Sequence, residues 1–207
     1  MDLRKLVHQY GHAMVKDLRE QVLAHLYDDT QVTYEVRAGF VVFKPFSKSI
    51  RQKDGEVDLR TLVDRKIDIR RFLFSGITKS VINRTGFECD PERRFAVALE
   101  DDVEVLKWIH PPQGQTPIFY KCDTYNIDFI VETKTNRYLV EIKARDELND
   151  PDVKAKAQAA VKWCEAANQK QGGKPWSYAV IPDDVVSETS GLDHMLAQAI
   201  SSLSKPN

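Results

Sequence analysis

The sequence predicts an α/β fold in which a mixed central sheet is flanked by helices, and three features predict it. The first is "YNIDFIVETKTNRYLVEIKA" (125–144), two Val/Ile/Phe-rich runs around a polar Lys134-Thr135-Asn136 turn. That pattern is a hairpin of strands apolar on both faces, as in the middle of a sheet. The second is a pair of segments opened by Asp-Pro, at Asp90-Pro91 and Asp150-Pro151, the signature of helix starts. The third is "PWSYAVIPDD" (175–184), an apolar run after a Gly-Gly break, which completes a strand–helix–strand unit.

From the N-terminus, Leu3, Leu6, Val7, Tyr10, Met14, Leu18, Val22 and Leu26 recur at helical spacing, predicting an amphipathic helix over 2–27 that is weakest at Gly11. "QVTYEVRAGFVVFKPFS" (31–47) reads as two strands turning near Ala38-Gly39. "SKSIRQKDGEVDL" (47–59) reads as a polar loop, and "IDIRRFLFSGITKSV" (67–81) as a short helix ending near Gly76.

In "CDPERRFAVALEDDVEVLKWI" (89–109), Asp90 is expected as N-cap, with Pro91 at the first helical position and Glu92 in the first turn. Phe95, Leu99, Val103 and Leu106 give the apolar stripe, and "PPQGQ" breaks it. "TPIFYKC" is a short strand. The hairpin strands 125–133 and 137–144 follow, then a helix from Pro151 capped by Asp150, the strand at 175–184, and a last helix in "SGLDHMLAQAISSLS". The order from residue 90 is helix, three strands, helix, strand, helix.

The chain has 207 residues and is 42% apolar, enough for one sizeable core or a domain with an appendage. The division expected is an N-terminal helix and strand pair (1–85), packing on or linking to an α/β domain (86–207). No apolar run approaches 18 residues, and the N-terminus is charged throughout, so neither a membrane span nor a signal peptide is expected. Three cysteines without a CxxC pair point to reduced thiols and a cytoplasmic protein. A net charge of −1 excludes a strongly basic nucleic-acid binder, although residues 65–94 carry eight Lys/Arg against four Asp/Glu. That excess is either a phosphate-facing surface or a solvated one. His8 and His12 have a zinc-like spacing with no third ligand beside them and read as surface residues. No GxSxG elbow is present, and no cysteine has an evident histidine partner.

The chemistry lies in the hairpin. Side chains alternate along a strand, so Glu141 and Lys143 point one way while Val140 and Ile142 point the other. Asp128, on the partner strand, reaches the same patch if the register allows. Two converging carboxylates repel, and a divalent cation resolves the repulsion. Mg²⁺ takes one or two carboxylates together with waters and phosphate oxygens. Lys143 beside it would orient a water or offset developing negative charge. Such a site suits phosphodiester hydrolysis. Acid-x-Lys alone is uninformative, because the chain contains it four times. Only Glu141-Ile142-Lys143 ends an apolar strand that follows an Asp-bearing one. The alternative is an edge hairpin with an exposed Glu141–Lys143 pair.

This order of elements resembles the PD-(D/E)XK nuclease superfamily, with its restriction-endonuclease-like αβββαβ core. Asp128, Glu141 and Lys143 match the motif, with Ile127 in place of its proline. The resemblance implies metal binding by Asp128 and Glu141, with the Ile142 carbonyl as a third ligand. It also implies support from an acidic residue on the first core helix. Glu92 fits that place better than Glu100, and its alternative is a carboxylate stabilising the helix N-terminus. Mg²⁺, or Mn²⁺, is the implied cofactor. Arg93, Arg94 and Arg145 are candidates for holding the DNA backbone. Lys154 and Gln158 either touch phosphate or the attacking water, or are solvated helix positions.

A closer resemblance, over roughly residues 35–185, is to the C-terminal end of the Res subunit of type III restriction enzymes. It is carried by "GFVVFKPF", "IRRFLFSGITKSV", "FECDPERRFAVALEDDVEVLKWI", "YNIDFIVET", "YLVEIKARDELNDPDVKAKAQAAVKWCEAA" and "KPWSYAVIP". It implies a Mg²⁺-dependent DNA endonuclease module whose partners are a helicase-like motor and a methyltransferase subunit. No GxxxxGK[ST] loop is present, so no ATP site is expected in this chain, which would then be a piece of a longer protein or a stand-alone relative. A non-catalytic DNA-binding or assembly module is the second expectation.

Overall fold

The computed structural model describes residues 55–63, 68–120, 123–170 and 172–200, together with positions 10, 11, 13, 15–18, 21 and 42. The strands expected at 31–47, the histidines at 8 and 12 and most of the helix expected at 2–27 lie outside the described residues.

Positions 10, 11, 13, 15–18 and 21 are helical. Two short parallel strands follow, β1 (Gly55–Asp58) and β2 (Phe72–Ser75), the second entered through a 3₁₀ turn at Ile69–Arg71. Of the polar loop expected at 47–59, residues 55–58 are instead a strand and 47–54 lie outside the described residues; the short helix expected at 67–81 is replaced by the 3₁₀ turn and β2. Strand β2 is held by β1 on one side and by Thr85 on the other, main-chain partners that no local pattern reveals. Gly76 ends β2 at φ +77°, and an added Cβ there would lie 2.2 Å from Asp58 Oδ2.

Helix α1 (Asp90–Asp101) is followed by β3 (Val105–Ile109), β4 (Pro117–Tyr120), β5 (Asp123–Asn126), β6 (Phe129–Thr133) and β7 (Arg137–Lys143). A 3₁₀ turn (Arg145–Asn149) leads into helix α2 (Pro151–Lys170), then β8 (Trp176–Pro182) and the short helix α3 (Leu192–Ala197). Strands β3, β6, β7 and β8 form one mixed sheet in that order. The β3/β6 and β6/β7 pairs are antiparallel and β7/β8 is parallel across the α2 crossover. Strands β4 and β5 form a separate hairpin. The fold is thus the mixed α/β arrangement of a restriction-endonuclease-like core.

Helix α1 is shorter than the stripe suggests. Asp102 Oδ1 accepts the Glu104 N–H at 2.8 Å, a turn that competes with the next helical bond. Lys79 Nζ donates to the Leu99 and Asp102 carbonyls left over at the helix end. Val103, expected in the stripe, is 78% exposed, and the Val-Leu-Lys-Trp-Ile run after it is the first strand of the sheet. The N-cap also moves by one residue, to Cys89, because the Asp90 carboxylate is engaged by Arg93 and Arg94.

Two buried clusters lie on opposite faces of the sheet. One gathers Phe95 and Leu99 of α1 with Trp108, Phe129, Val140, Ile142 and the N-terminal Leu59 and Phe74. The other gathers Leu139 and Val180 with Ala157, Ala160, Val161, Cys164 and Ala167 of α2. These residues of α2 recur at helical spacing and are mostly small, which lets the helix backbone lie close to the sheet. Alternation along β7 therefore turns Val140 and Ile142 towards α1, and Leu139, Glu141 and Lys143 the other way. No helix among the described residues is long and apolar enough to cross a membrane.

Candidate active site

Asp128 stands just before β6, where its ladder with β7 stops. Continued one step beyond Phe129↔Val140, the register sets Asp128 across from Glu141. The Ile142 N–H, which the ladder no longer serves, donates to Asp128 Oδ2 at 2.8 Å. On the other edge of β7, the Lys143 carbonyl accepts the Asp183 N–H. Main-chain groups of successive strand residues point to opposite edges, so the Ile142 carbonyl faces the edge that Asp128 lines.

Glu141 and Lys143 meet at 3.1 Å, Nζ to Oε1. Glu141 is only 4% exposed, and its Oε2 is buried with no hydrogen-bond partner among the described residues. Burial first, and the neighbouring Asp128 charge second, push the Glu141 carboxyl up to about 8 against the pull of Lys143. Burial raises Asp128 as well, opposed by Lys143 and by the Ile142 N–H. For Lys143 burial acts downward, yet the Glu141 and Asp128 carboxylates outweigh it and hold the ammonium above the ordinary lysine range. The cluster is therefore poor in hydrogen bonds and rich in mutually repelling oxygen.

Glu92, on the first turn of α1, is 8% exposed and reaches back to accept the Glu88 N–H at 2.8 Å. Burial and then Asp128 raise its carboxyl. Glu92 thus serves the helix start while feeling the same charge. Glu100 is placed quite differently. It accepts from the Thr78 N–H and hydroxyl, the Lys79 N–H and Trp108 Nε1, at 2.7–3.0 Å. Although burial acts upward, those donors hold its carboxyl below the usual range. It is a brace between α1, β3 and the 78–79 turn.

The basic candidates separate by what holds them. Arg93 is 1% exposed; its guanidinium binds Asp90, Glu188 and the Leu59 carbonyl. Arg94 binds Asp90 and the Val186 carbonyl. Both guanidinium groups expected on a DNA backbone thus have partners within the protein, Arg93 buried and Arg94 with 31% of its side chain exposed. Arg145 is exposed but makes a two-toothed pair with Asp184 at 2.8 and 2.9 Å. Lys154 and Gln158 are exposed on α2.

Sequence reasoning missed His110, Lys156, Tyr178 and Cys89. His110 Nδ1 lies 2.7 Å from the Asp128 carbonyl. Lys156 pairs with Asp152 at 2.8 Å, lies 5.4 Å from the Tyr120 ring centre, and its charge is felt at Glu141 and Asp128. Buried Tyr178, on β8, feels the charges of Glu141 and Asp128, and half-buried Cys89, at the α1 N-cap, those of Glu92 and Asp128. All four arrive by tertiary contact. The one available signal was His110, which ends "VLKWIH" and comes beside Phe129 once that run is read as a strand.

Among the described residues, no three His, Cys, Asp or Glu side chains form a complete protein cage for a metal. The donor set instead fits a hard divalent cation that keeps water or phosphate oxygens in its shell. Its features are a buried carboxylate oxygen without a partner, a second carboxylate opposite and a main-chain carbonyl on the same edge.

Residues 88–170 match the family model for the TnsA-like endonuclease N-terminal domain, a PD-(D/E)XK-type nuclease family. The matched segment runs from the start of α1 to the end of α2 and contains Glu92, Asp128, Glu141 and Lys143. It supports a nuclease module and the broader of the two resemblances, while the closer one, to the Res subunit, has no counterpart among the comparisons. No curated protein and no solved structure matches the chain.

Proposed function

We propose that this nuclease module is a Mg²⁺-dependent DNA endonuclease. The observation that carries the reading is Glu141 Oε2, a carboxylate oxygen buried without a partner beside a lysine and facing a second acid. A stable protein tolerates such an atom poorly unless a ligand completes it.

In this reading Asp128, Glu141 and the Ile142 carbonyl hold the cation, and Glu92 supports it. When bound, Mg²⁺ would polarise the scissile phosphate and ease deprotonation of a water. The protein's own parts do the rest. The Ile142 N–H fixes the Asp128 carboxylate, so it is presented without reorganisation. Lys143, anchored by Glu141, aims its ammonium at the attacking water or at the charge building on phosphorus. Its raised pKa keeps it a donor throughout, which suits orientation and charge neutralisation rather than proton abstraction. Exposed Lys154 and Gln158 are the remaining candidates for phosphate contact.

A role in a type III restriction assembly, with a separate motor and methyltransferase, rests on the resemblance of residues 35–185 alone. Of the second expectation, a non-catalytic DNA-binding or assembly module, one observation favours the assembly half, the engagement of Arg93, Arg94 and Arg145 by protein partners. One assay separates the readings: conversion of supercoiled plasmid to nicked or linear DNA, with Mg²⁺ or with EDTA, by wild type, Asp128→Ala and Lys143→Ala. Cation-dependent conversion lost in both variants supports the nuclease. Conversion that persists in either variant removes that residue from the mechanism, and no conversion by wild type favours the assembly module.

A further inference from the structure

We infer that His110 is a positioning residue of this centre, holding the main chain from which the Asp128 carboxylate is presented. The inference deepens the nuclease reading and rests on it for its catalytic consequence. Asp128 lies at a bend outside the β6 ladder, so no strand partner fixes it. Two hydrogen bonds do so instead. One joins its side chain to the Ile142 N–H, and the other joins its carbonyl to His110 Nδ1 at 2.7 Å.

A carbonyl oxygen only accepts, so Nδ1 must carry the proton. In the neutral ring that assignment leaves Nε2 as an acceptor. The ring itself has little freedom. Its centre lies 5.3 Å from that of Phe87 and 5.1 Å from that of Phe129, and both phenylalanines are buried. The main chain before it is fixed because Ile109 pairs with Ile130 across β3 and β6. His110 is thus a rigid donor just past the end of β3, the sheet's edge strand, directed at the main chain of Asp128.

The test uses isosteres. Asparagine places an N–H near the position of Nδ1, and glutamine places one near Nε2. Plasmid cleavage is measured for wild type, His110→Asn, His110→Gln and His110→Ala, with thermal melts to confirm folding. The expected result is a fall in kcat of roughly 10- to 100-fold for Ala and Gln, since a small displacement of a reacting group has effects of that size. KM for DNA stays within about twofold, and Asn recovers most of the lost rate. Ala equal to wild type, or Asn no better than Gln, overturns the inference. Nitrogen-15 NMR of the wild-type imidazole, taken well above the ordinary histidine pKa, gives a readout independent of turnover. The Nδ1–H tautomer is expected, and the Nε2–H tautomer sinks the proposal even if the Ala variant fails to fold. Wild type inactive with Mg²⁺ sinks the nuclease reading, and the catalytic role with it, while the tautomer still tests the contact itself.

Discussion

Glu141 and Lys143 form an ion pair at 3.1 Å that is complete on one side only, because the second Glu141 oxygen is buried with no hydrogen-bond partner among the described residues. Stability is given up at this point, and the loss can be measured. A carboxyl whose pKa rises on folding brings no penalty below its unfolded-state value. The penalty grows as pH rises and is complete above the folded-state value. For Glu141 that window runs from about 4.5 to about 8. The raised pKa values of Asp128 and Glu92 act in the same sense. In EDTA, the wild-type protein should therefore melt at a higher temperature near pH 6 than near pH 8.5. Glu141→Gln removes the charge and keeps the shape. It should raise the melting temperature at pH 8.5 by roughly 3–6 °C, flatten the pH slope and abolish cleavage. A variant that melts lower than wild type at pH 8.5 would show that the buried carboxylate is not a burden.

Adding the cation should relieve the same repulsion. Ligand that binds only the folded state stabilises it by RT ln(1 + [L]/Kd), about 1.4 kcal/mol at ten times Kd. For a chain of this size that is a rise of roughly 3–5 °C in melting temperature. The rise is expected for wild type with Mg²⁺ or Mn²⁺, and should be absent in Asp128→Asn. Because Glu141 must lose its proton first, apparent affinity should increase with pH up to about 8. An equal rise in Asp128→Asn would place the ion elsewhere.

Two acids on α1 should part company under mutation. Glu100 accepts from four donors, so Glu100→Ala leaves Trp108 Nε1 and two main-chain N–H groups without their partner. The expected cost is about 2–4 kcal/mol of unfolding free energy by urea titration, with cleavage by the folded fraction unchanged. Glu92→Gln keeps most of the shape and removes a buried charge, so it should leave stability unchanged or slightly raised at high pH while lowering the rate. The reverse pattern would transfer the supporting role to Glu100.

The hairpin and its face alternation were legible because apolar runs broken by charge are informative at period two, and Glu141 and Lys143 fall on one face by spacing alone. Where α1 ends was not legible. Val103 and Leu106 continue the helical period, but Asp102 folds its carboxylate onto the Glu104 N–H and diverts the chain. Nor was the burial of Arg93, whose partner Glu188 lies 95 positions away. The near partner of Arg93, Asp90, does not announce burial, because an i,i+3 pair is as common on an exposed helix face. His110 was no more legible, since it is joined to Asp128 only through the fold.

That difference between Arg93 and the outward-facing Lys154 gives the last prediction. Arg93 is buried among Asp90, Glu188 and the Leu59 carbonyl. Arg93→Ala removes the donor to a carbonyl of the main core and leaves two acids near each other. Breaking a buried pair costs up to several kcal/mol. Here both carboxylates retain some solvent, so the expected loss is smaller, about 2 kcal/mol, seen as a lower urea midpoint at unchanged slope. Binding of duplex DNA by the folded fraction should be unaffected. Lys154→Ala should do the opposite. It leaves the urea curve in place, because the side chain is exposed, and weakens DNA binding uniformly across sequences. It should also reduce the slope of log K against log salt by about one. The two variants measured side by side, by urea titration and by fluorescence anisotropy over a salt series, test whether burial sorts the basic residues correctly. A salt slope altered by Arg93→Ala and untouched by Lys154→Ala would mean that the DNA path runs over the N-terminal end of α1 instead of along α2.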